Sequence, residues 1–299
     1  MGQGFGPITP YSGWLGLSQS SHSLYIAFHG RKEVLTMRRM AIIAHGGAGA
    51  DPAKTANIQS AVDAGGRSLA QGASALEVAV MVCAALEDDP AFNAGTGSVT
   101  RQDGSVLVDA SVQTGDGQMG FVVSMPETPN PVRVAAALID EGVNGLAGMG
   151  ARAWADERGF PRADVIPRPP DDAKSGDTVG AIALDSQGRI AVATSTGGCS
   201  DRPPGRVGDV PLPGCGFWAE SGIAVAATGI GEAITREMLC FRVHDQISRK
   251  DKTMPEAFKL AISTRFDEET DVGLIGINEA GATHAHANTN MPWASWTSD

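Results

Sequence analysis

Within Gly176-Asp177-Thr178-Val179-Gly180 a hydroxyl sits where a charged, proline-containing segment gives way to an apolar strand. Such a junction exposes a side chain while the strand beside it holds it still, as an attacking oxygen requires. A β-branched residue opening a strand is the plain alternative, and later segments change the weighing. Thr194-Ser195-Thr196-Gly197-Gly198 supplies further hydroxyls at a strand end. Gly205-Arg206-Val207-Gly208-Asp209 sets a guanidinium and a carboxylate three residues apart in a glycine-bounded loop. That pair suits the carboxylate and ammonium of an amino acid, against the ordinary alternative of a surface ion pair. Thr228-Gly229-Ile230-Gly231-Glu232 marks a strand-to-helix turn, where free N–H groups and the helix dipole favour a phosphate or a transient oxyanion. A phosphate loop needs a lysine after its glycines. Glu232 stands there instead, so the oxyanion reading is favoured.

Two other constellations compete. Ala193-Thr194-Ser195-Thr196-Gly197 approximates a nucleophile elbow and His45-Gly46-Gly47 an oxyanion loop, which makes a serine hydrolase using His244, His284 or His286 a rival. Pro203 and Pro204 follow where that turn demands a helix, which ranks the rival low. His284-Ala285-His286 offers two imidazoles on one strand face, without companion ligands at metal-site spacing.

These residues must be positioned by alternating strands and helices. Ala41 to Ala44 reads as a strand running into the glycine turn His45 to Gly49, followed by helices over 53–71 and 74–88. Ser74 before Glu77 has capping-box spacing. Strands at 105–113 and 119–125 and helices at 131–140 and 146–158 complete a first half. Residues 159–177, with four prolines, read as an exposed linker. Beyond it come strands at 179–184, 190–194 and 223–228, helices at 231–249 and 255–264, and strands at 272–278 and 282–287. Runs of strands and runs of helices argue for an α+β fold with antiparallel pairing.

Composition bounds the partners. Lys and Arg number 23 against 34 Asp and Glu, and a net charge of −11 repels phosphate backbones and anionic lipid, so nucleic acid and membranes are excluded as partners. No apolar run approaches the ~18 to 20 residues that span a bilayer. Glycine supplies 38 of 299 residues, against a usual ~7%, which implies many tight turns. Cys83, Cys199, Cys215 and Cys240 lack C-x-x-C spacing and read as buried thiols in a reducing, cytoplasmic setting. Residues 1–40 carry four cations against Glu33 and read as a disordered extension, outside the fold, with natural starts available at Met37 or Met40.

Taken in order, Asp177-Thr178-Val179-Gly180, Thr194 to Gly198, Gly205 to Asp209 and Thr228-Gly229 resemble the plant-type asparaginase and isoaspartyl peptidase family of N-terminal nucleophile hydrolases. His45 to Gly49 resembles that family's opening, and Phe92-Asn93-Ala94-Gly95-Thr96-Gly97-Ser98 with Leu107-Val108-Asp109-Ala110-Ser111 its middle signature. The resemblance runs from about 41 to 291 and implies a four-layer αββα sandwich. It also implies a precursor that cuts itself between Asp177 and Thr178 into an α part ending at 177 and a β part of 178–299. Thr178 would be the nucleophile, and Thr196 would hydrogen-bond it. Thr228 and Gly229 would stabilise the oxyanion, Arg206 and Asp209 would hold the substrate's α-carboxylate and α-ammonium, and Asn93 would line the site. The substrate would be L-asparagine or a β-aspartyl dipeptide. The new α-amine, with a reference pKa of ~7.7 to 8.0, would be the base.

The family further implies no catalytic cofactor, a structural sodium on the carbonyls of Leu86, Glu87, Asp89, Phe92, Ala94 and Thr96, and a homodimer of cleaved heterodimers. Glu268-Glu269-Thr270-Asp271 replaces the family's glycine-rich approach to Gly273, and Asn288 to Trp293 matches only in part. An aspartylglucosaminidase-type activity on glycosylated asparagine shares the same residues and is the alternative, with an unprocessed, inactive interaction protein as the non-enzymatic one.

Overall fold

The structure, a computed structural model, describes residues 39–165 and 177–298, together with the backbone of three short strands before them. The chain divides into two units, 1–38 and 39–299. In the first, β1 (Gln19–Ser20), β2 (Ser23–Phe28) and β3 (Arg31–Thr36) pair antiparallel in that order. Part of the segment read as a disordered extension therefore carries strand pairing. Tyr25, Ile26, Phe28 and Val34 are the β-favouring residues that a charge count overlooks. Most of the 159–177 linker, residues 166–176, lies outside the described residues.

The second unit runs β4 (Ala41–His45), α1 (Thr55–Ala70), α2 (Ala75–Glu87), β5 (Leu107–Thr114), β6 (Met119–Pro126), α3 (Pro131–Ala137), β7 (Gly145–Ala147), α4 (Gly148–Glu157), β8 (Val179–Leu184) and β9 (Ile190–Thr196). It continues with β10 (Phe217–Glu220), β11 (Ile223–Gly229), α5 (Gly231–Glu237), α6 (Leu239–Ser248), α7 (Met254–Arg265), β12 (Val272–Ile277), β13 (Thr283–Ala287) and β14 (Trp293–Thr297). Seven strands form one sheet in the order β14-β4-β8-β9-β5-β6-β7, antiparallel except for the β6–β7 pair. The second sheet, β10-β11-β12-β13, is antiparallel throughout. The fold is α+β.

Period-two alternation on the buried strands sorts their side chains between two cores. Ile42 and Ala44 of β4 face the helices and pack with Val62, Val78 and Val82, whereas Ala41 and Ile43 face the second sheet and pack with Phe217, Ala226 and Ile275. A third core joins β11 and β12 to α6 and α7 through Val225, Leu274, Val243 and Phe258. The Ser74–Glu77 capping box forms as the spacing requires, a feature that contributes about 1 kcal/mol to helix stability. Gly66, in the middle of α1, costs helix propensity of ~1 kcal/mol. A Cβ there would lie 2.4 Å from the Trp296 ring, so the missing side chain lets α1 dock on β14.

The pattern differs from the sequence reading at the helix expected over 231–249. It breaks at Met238, whose φ of 44° is left-handed, and restarts as α6. The N–H groups of Cys240 and Phe241 then donate to the carbonyls of Cys215 and Gly214, so the second piece docks on the preceding loop instead of continuing straight. Strands β7, β10 and β14 also went unread: β7 and β10 are only three and four residues long, β10 closing a tight hairpin with β11, and β14 pairs with β4 at the far end of the unit.

Candidate active site

Antiparallel pairing decides where the strand ends meet. The end of β4 faces the start of β8, with His45 opposite Gly180, and the end of β9 lies alongside, with Ser195 opposite Val179. Thr178 is therefore fixed at the head of β8, 7% exposed, and its hydroxyl donates to Thr196 Oγ1 at 3.0 Å. The Gly198 N–H donates to the same Thr196 oxygen at 3.0 Å. Asn93 reaches both sides of this pair. Its N–H donates to the Asp177 carbonyl at 3.1 Å, its Nδ2 donates to the Gly198 carbonyl at 2.6 Å, and its carbonyl accepts from Gly197 at 2.8 Å.

Thr228, at the end of β11, is buried and accepts from the Ala48 N–H at 3.2 Å, which ties the oxyanion-type turn to the glycine turn after β4. Gly229 has φ 138°, and a Cβ there would lie 2.0 Å from the Asp271 carbonyl oxygen, so only glycine leaves this backbone in place. Ser111 and Thr194 hydroxyls both donate to the Val210 carbonyl, which moors the Arg206–Asp209 loop to β9 beside Thr196.

The cation and carboxylate of that loop do not face each other as a simple pair. Arg206 donates through Nε and Nη2 to the two oxygens of Glu232, at 3.0 and 2.7 Å, and this contact holds Glu232 down at a pKa of about 2. Asp209 is 6% exposed and its Oδ2 has no hydrogen-bond partner among the described residues. Burial raises its carboxyl to about 7, which its own backbone N–H and the Arg206 charge only partly oppose. A Cβ at Gly231 would lie 2.8 Å from Asp209 Oδ1 and 2.9 Å from Arg206 Nη2, so both groups converge on the first turn of α5. Glu232→Gln is expected to raise KM a few-fold to about tenfold with less effect on kcat, because it loosens a charge-assisted clamp that is half in solvent. Steady-state kinetics on the variant checks this.

Behind the hydroxyls lies a polar layer that motif reading did not assign. Arg101 packs under Gly198 and donates to the Leu107 carbonyl at 3.0 Å, with Asp109 Oδ2 3.9 Å away. Burial pushes Asp109 up to about 6 despite a bond from the Ser124 N–H. His45 is fully buried, and desolvation lowers its imidazole to about 3, so it is neutral. The Gly47 N–H donates to its Nδ1.

The serine hydrolase arrangement does not form around Ser195. That residue points to the opposite face of β9 from Thr194 and Thr196, toward the buried Glu87 carboxyl, and its hydroxyl makes no hydrogen bond among the described residues. His244 of α6 is bonded to the Glu220 carbonyl of β10, and His284 packs on Phe258 of α7.

Comparison with known proteins assigns the sequence to a family. The family described as Asparaginase matches residues 38–167 and 164–299, which together cover most of the chain. The chain belongs to the plant-type L-asparaginase and isoaspartyl peptidase family. Within this family of threonine-type N-terminal nucleophile hydrolases it is 34% identical to the isoaspartyl peptidase/L-asparaginase of Bos taurus, over 85% of this chain and 92% of that one. It is 33% identical to the plant-type L-asparaginase of Pyrobaculum calidifontis, over 85% and 96%, and 30% identical to the isoaspartyl peptidase of Escherichia coli K12, over 87% and 93%.

Proposed function

We propose that this family member is a self-activating threonine amidohydrolase that releases L-aspartate from L-asparagine or from β-aspartyl dipeptides. The observation that carries the reading is the arrangement at the Asp177–Thr178 bond. The Thr178 hydroxyl is held at 3.0 Å from Thr196, and the carbonyl it would attack already accepts from the Asn93 N–H. Attack by Thr178 Oγ on the Asp177 carbonyl carbon forms a C–O bond. The C–N bond then breaks as the Thr178 nitrogen takes the hydroxyl proton. Water hydrolyses the resulting ester, leaving Asp177 as a carboxylate and Thr178 with both its hydroxyl and a free amine. The amine is the base for turnover, a role an amide nitrogen cannot fill.

In turnover Thr178 attacks the substrate's side-chain carbonyl. Thr228 Oγ1 and the Gly229 N–H receive the developing negative charge, Arg206 holds the α-carboxylate, and Asp209 accepts from the α-ammonium. The orphaned Asp209 Oδ2 supports that last role, since a bound ammonium would supply the missing donor. An amino-acid ammonium also favours the ionised carboxylate, so binding draws Asp209 down from about 7 and releases a proton. KM is expected to climb as pH falls below about 7, by up to about tenfold per unit. A pH series of initial rates checks this, and Asp209→Asn should raise KM and flatten that limb.

The two sheets stacked face to face, with α1 to α4 on one outer side and α6 and α7 on the other, support the four-layer αββα sandwich. For sodium, the loop from Leu86 to Thr96 fits a hard cation in its donor chemistry. Gly95 and Gly97 leave the Glu87 and Phe92 carbonyls close to the backbone with no side chain over them. Carbonyls of Leu86, Glu87, Asp89, Phe92, Ala94 and Thr96 would hold the ion and stiffen the loop that carries Asn93. The test of the reading is intact mass after prolonged incubation, with fragments beginning at Met1 and Thr178, followed by assay of ammonia from asparagine and of aspartate from a β-aspartyl dipeptide.

A further inference from the structure

We infer that Lys54 is a positioning residue for self-cleavage, holding the side chain of Asp177 so that the acyl side of the Asp177–Thr178 bond is fixed against the Thr178 hydroxyl. The inference rests on the self-activating reading above and names a residue that reading does not use.

Lys54 Nζ lies 2.7 Å from Asp177 Oδ2, and the two side chains are 17% and 7% exposed. A pair so largely removed from water is a different object from the surface ion pairs that contribute little. Lys54 is itself held in place. It closes the turn Pro52–Lys54, whose cap is Asp51 accepting from the Ala53 N–H, and its Nζ stands 5.8 Å from the centre of the fully buried Phe92 ring. The next residue, Asn93, donates its N–H to the Asp177 carbonyl. Asp177 is thus gripped at its carboxylate by Lys54 and at its carbonyl by Asn93, while Thr196 fixes the attacking oxygen.

These three contacts have distinct consequences. The Asn93 N–H meets the charge that grows on the carbonyl oxygen, and Thr196 aims the hydroxyl. Both act at the carbonyl oxygen and the attacking hydroxyl, and rotation of Asp177 about its own backbone is left to its other contacts, of which the Lys54 pair is one. A side-chain anchor on the residue whose carbonyl is attacked removes that rotation. It keeps the carbonyl carbon in line with Oγ, which is the geometric part of an intramolecular barrier. The bonds formed and broken are those of the self-cleavage step already given, and Lys54 exchanges no proton in it.

The test measures the rate at which the full-length chain becomes two fragments, followed by intact mass for wild type, Lys54→Met, Lys54→Arg, Asp177→Asn and the Lys54→Met/Asp177→Asn double variant. Lys54→Met is expected to slow cleavage on the order of 10²-fold, the scale of a misplaced reacting group. Lys54→Arg is expected to recover most of the rate, and the double variant should be no slower than Asp177→Asn alone. Lys54→Met in a Thr178→Ala background, where no cleavage occurs, reports its effect on thermal stability separately. If Lys54→Met yields no soluble protein, Asp177→Asn breaks the same contact from the other side and carries the test. Cleavage of Lys54→Met at the wild-type rate, or single effects that simply multiply in the double variant, overturns the inference. Wild type that never splits overturns the self-activating reading, a result distinguishable from either.

Discussion

Thr178→Ala is expected to remain one uncut chain of 299 residues and to lose amidase activity by on the order of 10⁵-fold or more, as removal of a covalent nucleophile does in other hydrolases. The substitution removes two things at once, since the hydroxyl is needed first to cut the chain and then to attack substrate. Its effect on folding should be small. Thr178 gives a single side-chain hydrogen bond, to Thr196, worth about 1 kcal/mol, while the Asn93 bond to the Asp177 carbonyl is made by backbone and survives. Intact mass and an ammonia-release assay on the same preparation check both halves. Thr178→Ser keeps the hydroxyl and the amine and should still split and turn over, more slowly. An uncut alanine variant hydrolysing asparagine at the wild-type rate would shift the nucleophile to another hydroxyl.

The second large effect is expected at Thr228 and Gly229. Thr228→Ala removes a hydroxyl aimed at charge that exists only in the transition state, so kcat should fall by ~10² to 10³ with KM nearly unchanged. Thr228 Oγ1 also accepts from the buried Ala48 N–H, and its loss leaves that donor without a partner, which adds a stability cost of about 1 to 3 kcal/mol. Thr228→Ser restores the oxygen and separates the two contributions. Gly229→Ala acts differently. A methyl group 2.0 Å from the Asp271 carbonyl oxygen must push β11 away from β12, and the Gly229 N–H moves with it. Activity should fall at least as far, together with a lower melting temperature. Kinetics and thermal unfolding on the three variants check the assignment, and unaltered kcat in Thr228→Ala would remove that residue from the oxyanion role.

The short motifs were legible because each is local. Thr178 stands out through the contrast between the linker and the apolar run after it, and Ser74 and Glu77 cap α2 through contacts within one turn. The α+β class followed from strands and helices in separate runs, and the main elements fall close to where their periodicity puts them. Met238 was not legible, because the break between α5 and α6 is imposed by carbonyls of the loop at Gly214 and Cys215, outside the helix itself. Nor was β14, whose strand character comes from pairing with β4 at the other end of the unit.

Within the site the same division holds. Arg206 and Asp209 are close in sequence and were found together, but the carboxylate that clamps Arg206 is Glu232, and the nearer Asp209 is left with an open oxygen. Spacing alone could not tell which of two acids takes the guanidinium. Lys54 and Arg101 carried no motif signal, and Asp109 stood in the middle signature without a role of its own, because a charged residue in a turn or strand reads as solvated until its surroundings are known.

From its order of residues alone the chain fixes the periodicities, caps and turns that make each strand and helix, and the identity of the hydroxyls at the strand ends. Those depend on interactions over a few residues, which any window of the sequence contains. The tertiary structure decides which strand ends meet, that Ser195 turns away while Thr196 faces Thr178, and that Lys54 lies against Asp177. These follow from sheet register and from burial, where one residue's shift reverses a side chain's direction and the loss of water gives a charge its partner.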